Sequence, residues 1–384
     1  MLITALTILL QAASPAGADM RDDGTITVTA QRVSDLAADV AACADAPCPT
    51  RRDVAASVVY ASALFDEGKY GDAKAVLGAA VSRTKGAAAA EPLAVSILYN
   101  AQANLMQHEG DQAIAETATR QSYVVLRDNL GPDALPTLSA GYRLANWLMR
   151  RGYLVESETL FTTIAEAAAA GDHLTLADAS NLQRGRMLVL RLHAPAGYAL
   201  LEEVAARPPG PDGNAEMQRA ALATAVRLAT DRGEKARAEG YAERLAALGP
   251  GEEPQLVSSK PWPLPQSGFP WPLPQRGLDN LGTAGLSGRV LRWVDIGYWI
   301  RPDGSVEDIE VLRGSQTRGW EKPVLGVIAS RRYAPTRDPV GQYRVERYTL
   351  TADYFDPSGS LIRRRGLNPR YEMQPLTAAA GSAF

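Results

Sequence analysis

Phe65-Asp-Glu-Gly68-Lys-Tyr70-Gly-Asp-Ala73 reads as the end of one helix, a glycine turn and the start of the next. Glycine suits that turn because it takes positive φ without a Cβ clash, the usual way to close a helix. The arrangement recurs, since Gly110 and Gly152 each follow the preceding turn glycine by 42 residues (110 − 68 and 152 − 110). Five residues after each glycine stands a small residue, namely Ala73, Ala115 and Ser157. Seven residues before each stands another, namely Ala61, Ala103 and Ala145. Gly233 with Ala238 is a weaker copy, and the stretch Leu182 to Leu201 a degenerate one. Small residues at fixed offsets on both sides of a turn let two helices approach closely. The pattern therefore predicts about five helical hairpins between Arg52 and Leu248, each burying its apolar face against the next.

This pattern resembles the tetratricopeptide repeat family, whose usual period is about 34 residues. The longer interval here implies extended second helices or loops such as Leu130-Gly-Pro-Asp-Ala-Leu-Pro136. The resemblance implies a scaffold that holds protein partners in a groove. Ser62, Asn104 and Asn146 lie six residues before successive turn glycines. In that family this position faces the groove and contacts peptide backbone. From the residues alone, the same side chains equally serve to solvate an exposed helical face.

The last third changes character. Val290 to Ile300 has the alternation and β-branching of a half-buried strand, and Pro302-Asp303-Gly304 is a turn signal. Val306 to Leu312 reads as a second strand, Trp320 to Arg331 as a helix, Tyr333-Ala-Pro335 as its close, and Tyr343 to Tyr354 as a third strand. That order resembles the carboxy-terminal domain of TonB, the periplasmic partner of outer-membrane receptors, over 65 residues (354 − 290 + 1). The resemblance implies capture of a partner strand at an open edge, here expected at Tyr343, Val345, Arg347 and Thr349. Trp293, Trp299 and Trp320 are expected in the core of the small module. TonB proteins carry an amino-terminal anchor and a much longer proline-rich spacer, and this chain departs from both. An accessory role in TonB-dependent transport is therefore the leading expectation, with the energy transducer itself or a purely structural envelope scaffold as alternatives.

The rest of the chain is organised around these two parts. The duplicated nonamer Pro261 to Phe269 and Pro270 to Leu278 is expected to form a stiff polyproline spacer, a recognition motif or a strap packed on one domain. Gly24-Thr-Ile-Thr-Val-Thr-Ala-Gln-Arg32 is similar to the TonB box that TonB captures by strand addition, or is a simple strand. About five backbone hydrogen bonds of ~1 kcal/mol each would hold it with only near-millimolar affinity. Leu2 to Leu10 followed by Ala16-Gly17-Ala18 reads as an export signal cleaved before Asp19, which places the mature chain in the periplasm. An oxidising compartment suits Cys43 and Cys48, the only two cysteines, as a disulfide. So short a loop contributes about 2 kcal/mol in the chain-entropy model. Two thiols without a nearby histidine make at most half a zinc site.

Composition and motifs bound the chemistry. A net charge of −3 over 384 residues gives no electrostatic case for nucleic acid. His108, His173 and His193 are the only histidines, and none sits in a metal or nucleophile motif. Neither catalysis nor a cofactor nor a metal is expected. Arg363 to Arg365 are expected in a solvated tail or paired with the sheet, in preference to an anionic lipid surface. The fold class that follows is α+β and multidomain, an α-helical hairpin solenoid followed by a small α+β domain. Its expected boundaries are a signal at 1–18, an extended segment at 19–42, helical repeats at 43–249, a linker at 250–285, the small domain at 286–357 and a tail at 358–384.

Overall fold

A computed structural model describes residues 19–20, 26–27, 32–191, 194–208, 215–262, 291–315, 319–355 and 364–377. The signal at 1–18, the second nonamer with Trp271, and His193 lie outside them. Of the segment 24–32, the central residues Ile26–Thr27 (β2) pair antiparallel with Asp19–Met20 (β1). The chain divides into two compact units, one running to Gln107 and including Ala113–Leu130, the other comprising His108–Gln112 and everything from Gly131.

The first unit holds α1 (Val33–Asp45), α2 (Thr50–Asp66), α3 (Tyr70–Thr84) and most of α4 (Pro92–Glu109) and α5 (Gln112–Leu130). The Cys43–Cys48 disulfide is formed, closing the chain between α1 and α2. Each hairpin has a polar clasp between its helices. In the first, Asp53 accepts two bonds from Arg83 at 2.9 and 2.6 Å and one from Ser57 at 3.1 Å. In the second, the Ser96 hydroxyl donates to the Ser122 carbonyl at 2.9 Å, and the Ser122 hydroxyl to the Ser96 carbonyl at 3.1 Å. Buried hydroxyls and carboxylates that are paired in this way escape the cost of an unmet hydrogen bond.

The second unit continues the repeat through α6 (Leu135–Arg151), α7 (Leu154–Ala170), α8 (Leu174–Leu190), α9 (Ala194–Ala206), α10 (Ala215–Asp231) and α11 (Lys235–Ala247). Four of the five hairpins described from α2 to α11 turn at a glycine of the pattern, and the fifth, α8–α9, is the degenerate copy. Gly68, Gly110, Gly152 and Gly233 have φ of 75, 89, 83 and 72°. At Gly152 the Tyr153 amide donates to Leu148 at 2.9 Å and the Gly152 amide to Met149 at 3.1 Å, the paired bonds that close a helix on a left-handed residue. Helix length accounts for the long period, because α2 and α3 have 17 and 15 residues and α6 and α7 have 17 each.

The small marker residues meet across the hairpins. Ala73, Ala115, Ser157, Ala61, Ala103 and Ala145 are all buried, and the Ser157 hydroxyl donates to the Ala145 carbonyl at 2.8 Å. Markers are 12 residues apart in each pair (73 − 61, 115 − 103, 157 − 145). The degenerate hairpin keeps that spacing with Gly185 and Gly197 (197 − 185 = 12). A Cβ on Gly185 would lie 2.8 Å from the Gly197 carbonyl oxygen, so α8 and α9 touch backbone to backbone there.

After the helices, the short β3 (Leu256–Ser258) pairs with β6 (Arg332–Tyr333), so part of the expected linker is bound in the fold. The main sheet is built from β4 (Arg292–Ile300), β5 (Val306–Gly314), β7 (Gln342–Phe355) and β8 (Arg364–Pro375). Its order is β5-β4-β7-β8, all antiparallel. One face packs α12 (Lys322–Ser330) through Val324 and Ile328 against Val294, Ile296, Tyr298, Ile300, Tyr348 and Leu350. Gly304, with φ 82°, makes the expected turn, and a Cβ there would strike the Tyr333 carbonyl at 1.9 Å. Trp262 of the first nonamer packs on Tyr348 and Tyr371, with ring centroids 5.6 and 5.8 Å away.

Two expectations are corrected here. Tyr343 to Tyr354 is not an open edge, because β7 is interior and hydrogen-bonded along both sides. The expected tail supplies the strand that covers it, β8. Of the tryptophans, Trp320 is buried in the core, whereas Trp293 and Trp299 are half-buried on the opposite face of the sheet.

That opposite face is also covered along β7. Arg347, Thr349 and Thr351 have no exposed surface. Arg347 donates to both carboxylate oxygens of Asp295 at 2.6 and 2.8 Å and lies 4.1 Å from the Trp293 ring centre. His108 Nδ1 lies 2.8 Å from the Thr349 hydroxyl, and the Tyr354 amide donates to the Gly110 carbonyl at 3.1 Å. A Cβ on Gly110 would stand 2.3 Å from the Ala352 carbonyl oxygen. Burial, and then the charges of Arg347 and Arg370, lower the His108 pKa to about 3.

Because the folded pKa of His108 lies below its unfolded value of about 6.5, only the unfolded chain takes up its proton between those limits. Stability should therefore fall as pH drops below about 6.5, by up to about 1.4 kcal/mol per pH unit from this group. Urea titrations at about pH 7 and pH 5 should show about 2 kcal/mol more loss for the wild type than for His108→Gln. Equal losses would remove His108 as the cause. Separately, Asp295→Ala should cost about 3–5 kcal/mol, since it strands the buried Arg347 charge; a loss under about 1 kcal/mol would show that the pair is dispensable.

Candidate functional site

Each marker residue on the first helix of a hairpin is followed by one that the helix leaves uncovered. The series is Ser62, Asn104, Asn146, Arg186 and Arg227, directly after Ala61, Ala103, Ala145, Gly185 and Val226. In the first unit Ser62 and Asn104 are exposed. In the second unit Asn146 is half-buried, and its amide donates to the Tyr142 carbonyl one turn back at 2.9 Å. The sheet residues proposed from sequence do not join them. Arg347 and Thr349 are buried inside the module, Val345 is half-buried on the interior strand, and the Tyr343 hydroxyl donates to Glu310 at 2.8 Å.

In the second unit this series belongs to an arginine stripe. On α6, Arg143, Asn146 and Arg150 are spaced by three and four residues and so share one helical face. The helix buries Leu144, Ala145 and Leu148 on the other side. On α8 Gln183 and Arg186 are half-buried, as are Ala220 and Arg227 on α10. The first helices pack side by side, α6 on α8 and α8 on α10. Arg143, Arg186 and Arg227 are half-buried and make no ion pair among the described residues. The Arg143 Nε and the Gln183 Oε1 are buried without a hydrogen-bond partner.

Electrostatics link three members of the stripe, Arg150, Arg186 and Arg227. Burial lowers the pKa of Arg186, and Arg150 lowers it further while Tyr142 opposes. Burial also lowers that of Arg227, assisted by Arg186 and opposed by Asp231. Arg143 is lowered by burial alone. Arg150 is lowered by burial with Glu372 opposing, although its side chain is exposed. Protein on several sides of a recessed surface displaces solvent without covering the side chain, which reconciles the two. Like charges thus gather where water is reduced, an arrangement that disfavours the charged form. The signal in sequence was available: Arg227 precedes Gly233 by six residues, as Asn146 precedes Gly152.

Other concentrations of polar groups have internal explanations. Arg331 donates to Tyr298 at 2.7 Å, to Glu346 at 2.9 Å and to Tyr348 at 2.8 Å, beneath Trp262. Burial, and then Glu346, push both tyrosines well above their ordinary pKa. For Arg331 burial pulls the other way, but Tyr348 and Glu346 outweigh it and raise its pKa. The tyrosines stay protonated and the arginine charged at neutral pH, as in a structural network. A cavity of about 300 Å³ beside α10 and α11 is lined by Val226, Leu245, Val257 and Ala334, and by Arg219, which caps the carbonyls of Leu248 and Gly249. Among the described residues no group of three or more His, Cys, Asp or Glu could hold a metal. No described helix is long and apolar enough to cross a membrane.

No family model matches this chain, and no curated protein matches it. Among solved structures it is similar to a Podosopora anserina protein described as a kinesin light chain with nearly identical TPR-like repeats. That match has 18% identity and a TM-score of 0.43, covering 53% of this chain and 97% of the other. It is also similar to BtubC (BKLC) from P. vanneervenii, with 14% identity and a TM-score of 0.46, covering 56% of this chain and 89% of the other.

If the stripe costs stability, removing one charge should return some. Arg186→Gln should stabilise the chain by about 0.5 kcal/mol at low salt, with the gain shrinking at high salt. Destabilisation at both salt concentrations would mean that Arg186 has a structural partner.

Proposed function

We propose that this chain is a non-enzymatic protein-interaction scaffold that holds a partner on the first-helix face of its repeat. The carrying observation is the series Asn146, Arg186 and Arg227, three polar residues at one repeat position on three adjoining helices. A stack of hairpins presents such positions in a row, which is how repeat scaffolds build extended binding surfaces. We also propose a periplasmic setting, supported by the apolar run Leu2–Leu10 ahead of Ala16-Gly17-Ala18 and by the Cys43–Cys48 disulfide. A role accessory to TonB-dependent transport is supported only by the order of elements in the carboxy-terminal module. Strand addition there has the outer edges of β5 and β8 to use. On β5 a bulge and the charged Glu307, Asp308 and Glu310 guard that edge.

A photo-crosslinking residue in place of Asn146 should capture a discrete partner in cells producing the chain. The same residue in place of Thr159, exposed on α7, should not. Equal labelling at both positions, or none at Asn146, would rule out this face as the binding surface.

A further inference from the structure

We propose that the partner segment recognised by this face is an acidic peptide in polyproline II conformation, with a carboxylate at every third residue. The inference rests on the interaction reading above and adds the chemistry and spacing of the ligand. Three observations lead to it.

The first is charge. Arg186 lies within electrostatic reach of Arg150 on α6 and of Arg227 on α10, and Arg143 shares a helical face with Arg150, while Glu372 acts on Arg150 and Asp231 on Arg227. Arg143, Arg186 and Arg227 have no ion pair among the described residues, so acidic groups of a partner have sites to fill. Guanidinium groups bind carboxylates through two parallel hydrogen bonds, which gives geometric selectivity as well as attraction.

The second is spacing. Packed helices lie about 8–10 Å apart, so neighbouring first helices repeat the position at about that interval. A polyproline II chain turns once in three residues and advances about 9.3 Å, at ~3.1 Å per residue. Side chains at i, i+3 and i+6 then share one face and meet α6, α8 and α10 in turn. A β-strand returns to the same face every two residues, about 6.6 Å, or every four, about 13 Å, and neither fits. The third is orientation. On α6 the position is held by Asn146, whose Nδ2 donates to the Tyr142 carbonyl, so that its Oδ1 is placed to accept from a peptide amide beside the Arg143 guanidinium.

The experiment is fluorescence anisotropy with the full chain and two fluorescein-labelled peptides of equal composition. The spaced peptide repeats the unit Glu-Pro-Pro four times; the block peptide places the same four glutamates first and the eight prolines after them. The spaced peptide should bind saturably and at least fivefold tighter than the block peptide. Arg186→Gln with Arg227→Gln should weaken it at least tenfold. Equal affinity for the two peptides would overturn the spacing, and no effect of the double variant would overturn the site. Tighter binding of a short DNA duplex, lost in the same variant, would make the face a general polyanion surface and overturn the proposal too. Should the double variant fail to fold, the comparison of the two peptides on the wild-type chain still decides. Capture by the Asn146 crosslinker with no binding of either peptide would sink this inference alone; loss of both would sink the interaction reading with it.

Discussion

The bidentate pair between Arg347 and Asp295 is the constraint on which the carboxy-terminal half depends. Strand β7 is buried on both faces, with apolar residues against α12 and Arg347, Thr349 and Thr351 on the other side. A charge so placed is tolerated only when its partner is in hydrogen-bond geometry, and Asp295 on the neighbouring strand supplies both oxygens. The pair also fixes register, because Asp295 and Arg347 stand directly opposite each other in the ladder. Sliding the strands by one residue would separate the charges and turn Tyr348 and Leu350 away from α12.

With β7 held in the interior, the open edge expected at Tyr343 to Thr349 is absent. A sheet whose third strand is free offers a backbone edge to a partner, whereas here β8 takes that place and satisfies the same amides and carbonyls. The helical repeat is left as the surface with unmet polar capacity. Its arginine stripe gathers like charges where burial and neighbouring cations disfavour the charged form. The tyrosine–arginine network beneath Trp262 is the contrasting case, since each charge there is matched inside the module.

Much of the fold was legible because it is local. Gly68, Gly110, Gly152 and Gly233 announce their turns through a backbone conformation that glycine adopts most readily, and Gly304 does the same for the β-turn. The arginine stripe was half legible. Asn146 is marked by its offset from Gly152, and Arg227 has the same offset from Gly233, although its hairpin is the weaker copy in sequence. Arg186 was hidden because its hairpin lacks a turn glycine and is marked instead by Gly185 and Gly197, whose role shows only when their backbones meet.

The sequence by itself determined the helices, their turns, the close contacts of small residues and the strands of the small module, all set by periodicity and backbone preference within a few turns of chain. Only the tertiary structure decided which strand is interior, what covers Thr349 and which arginines share a face. Those outcomes depend on pairing between residues distant in sequence, such as β7 with β8 and His108 with Thr349. Such pairings follow from where the last strand and the repeat helices come to rest, and no local pattern carries that information.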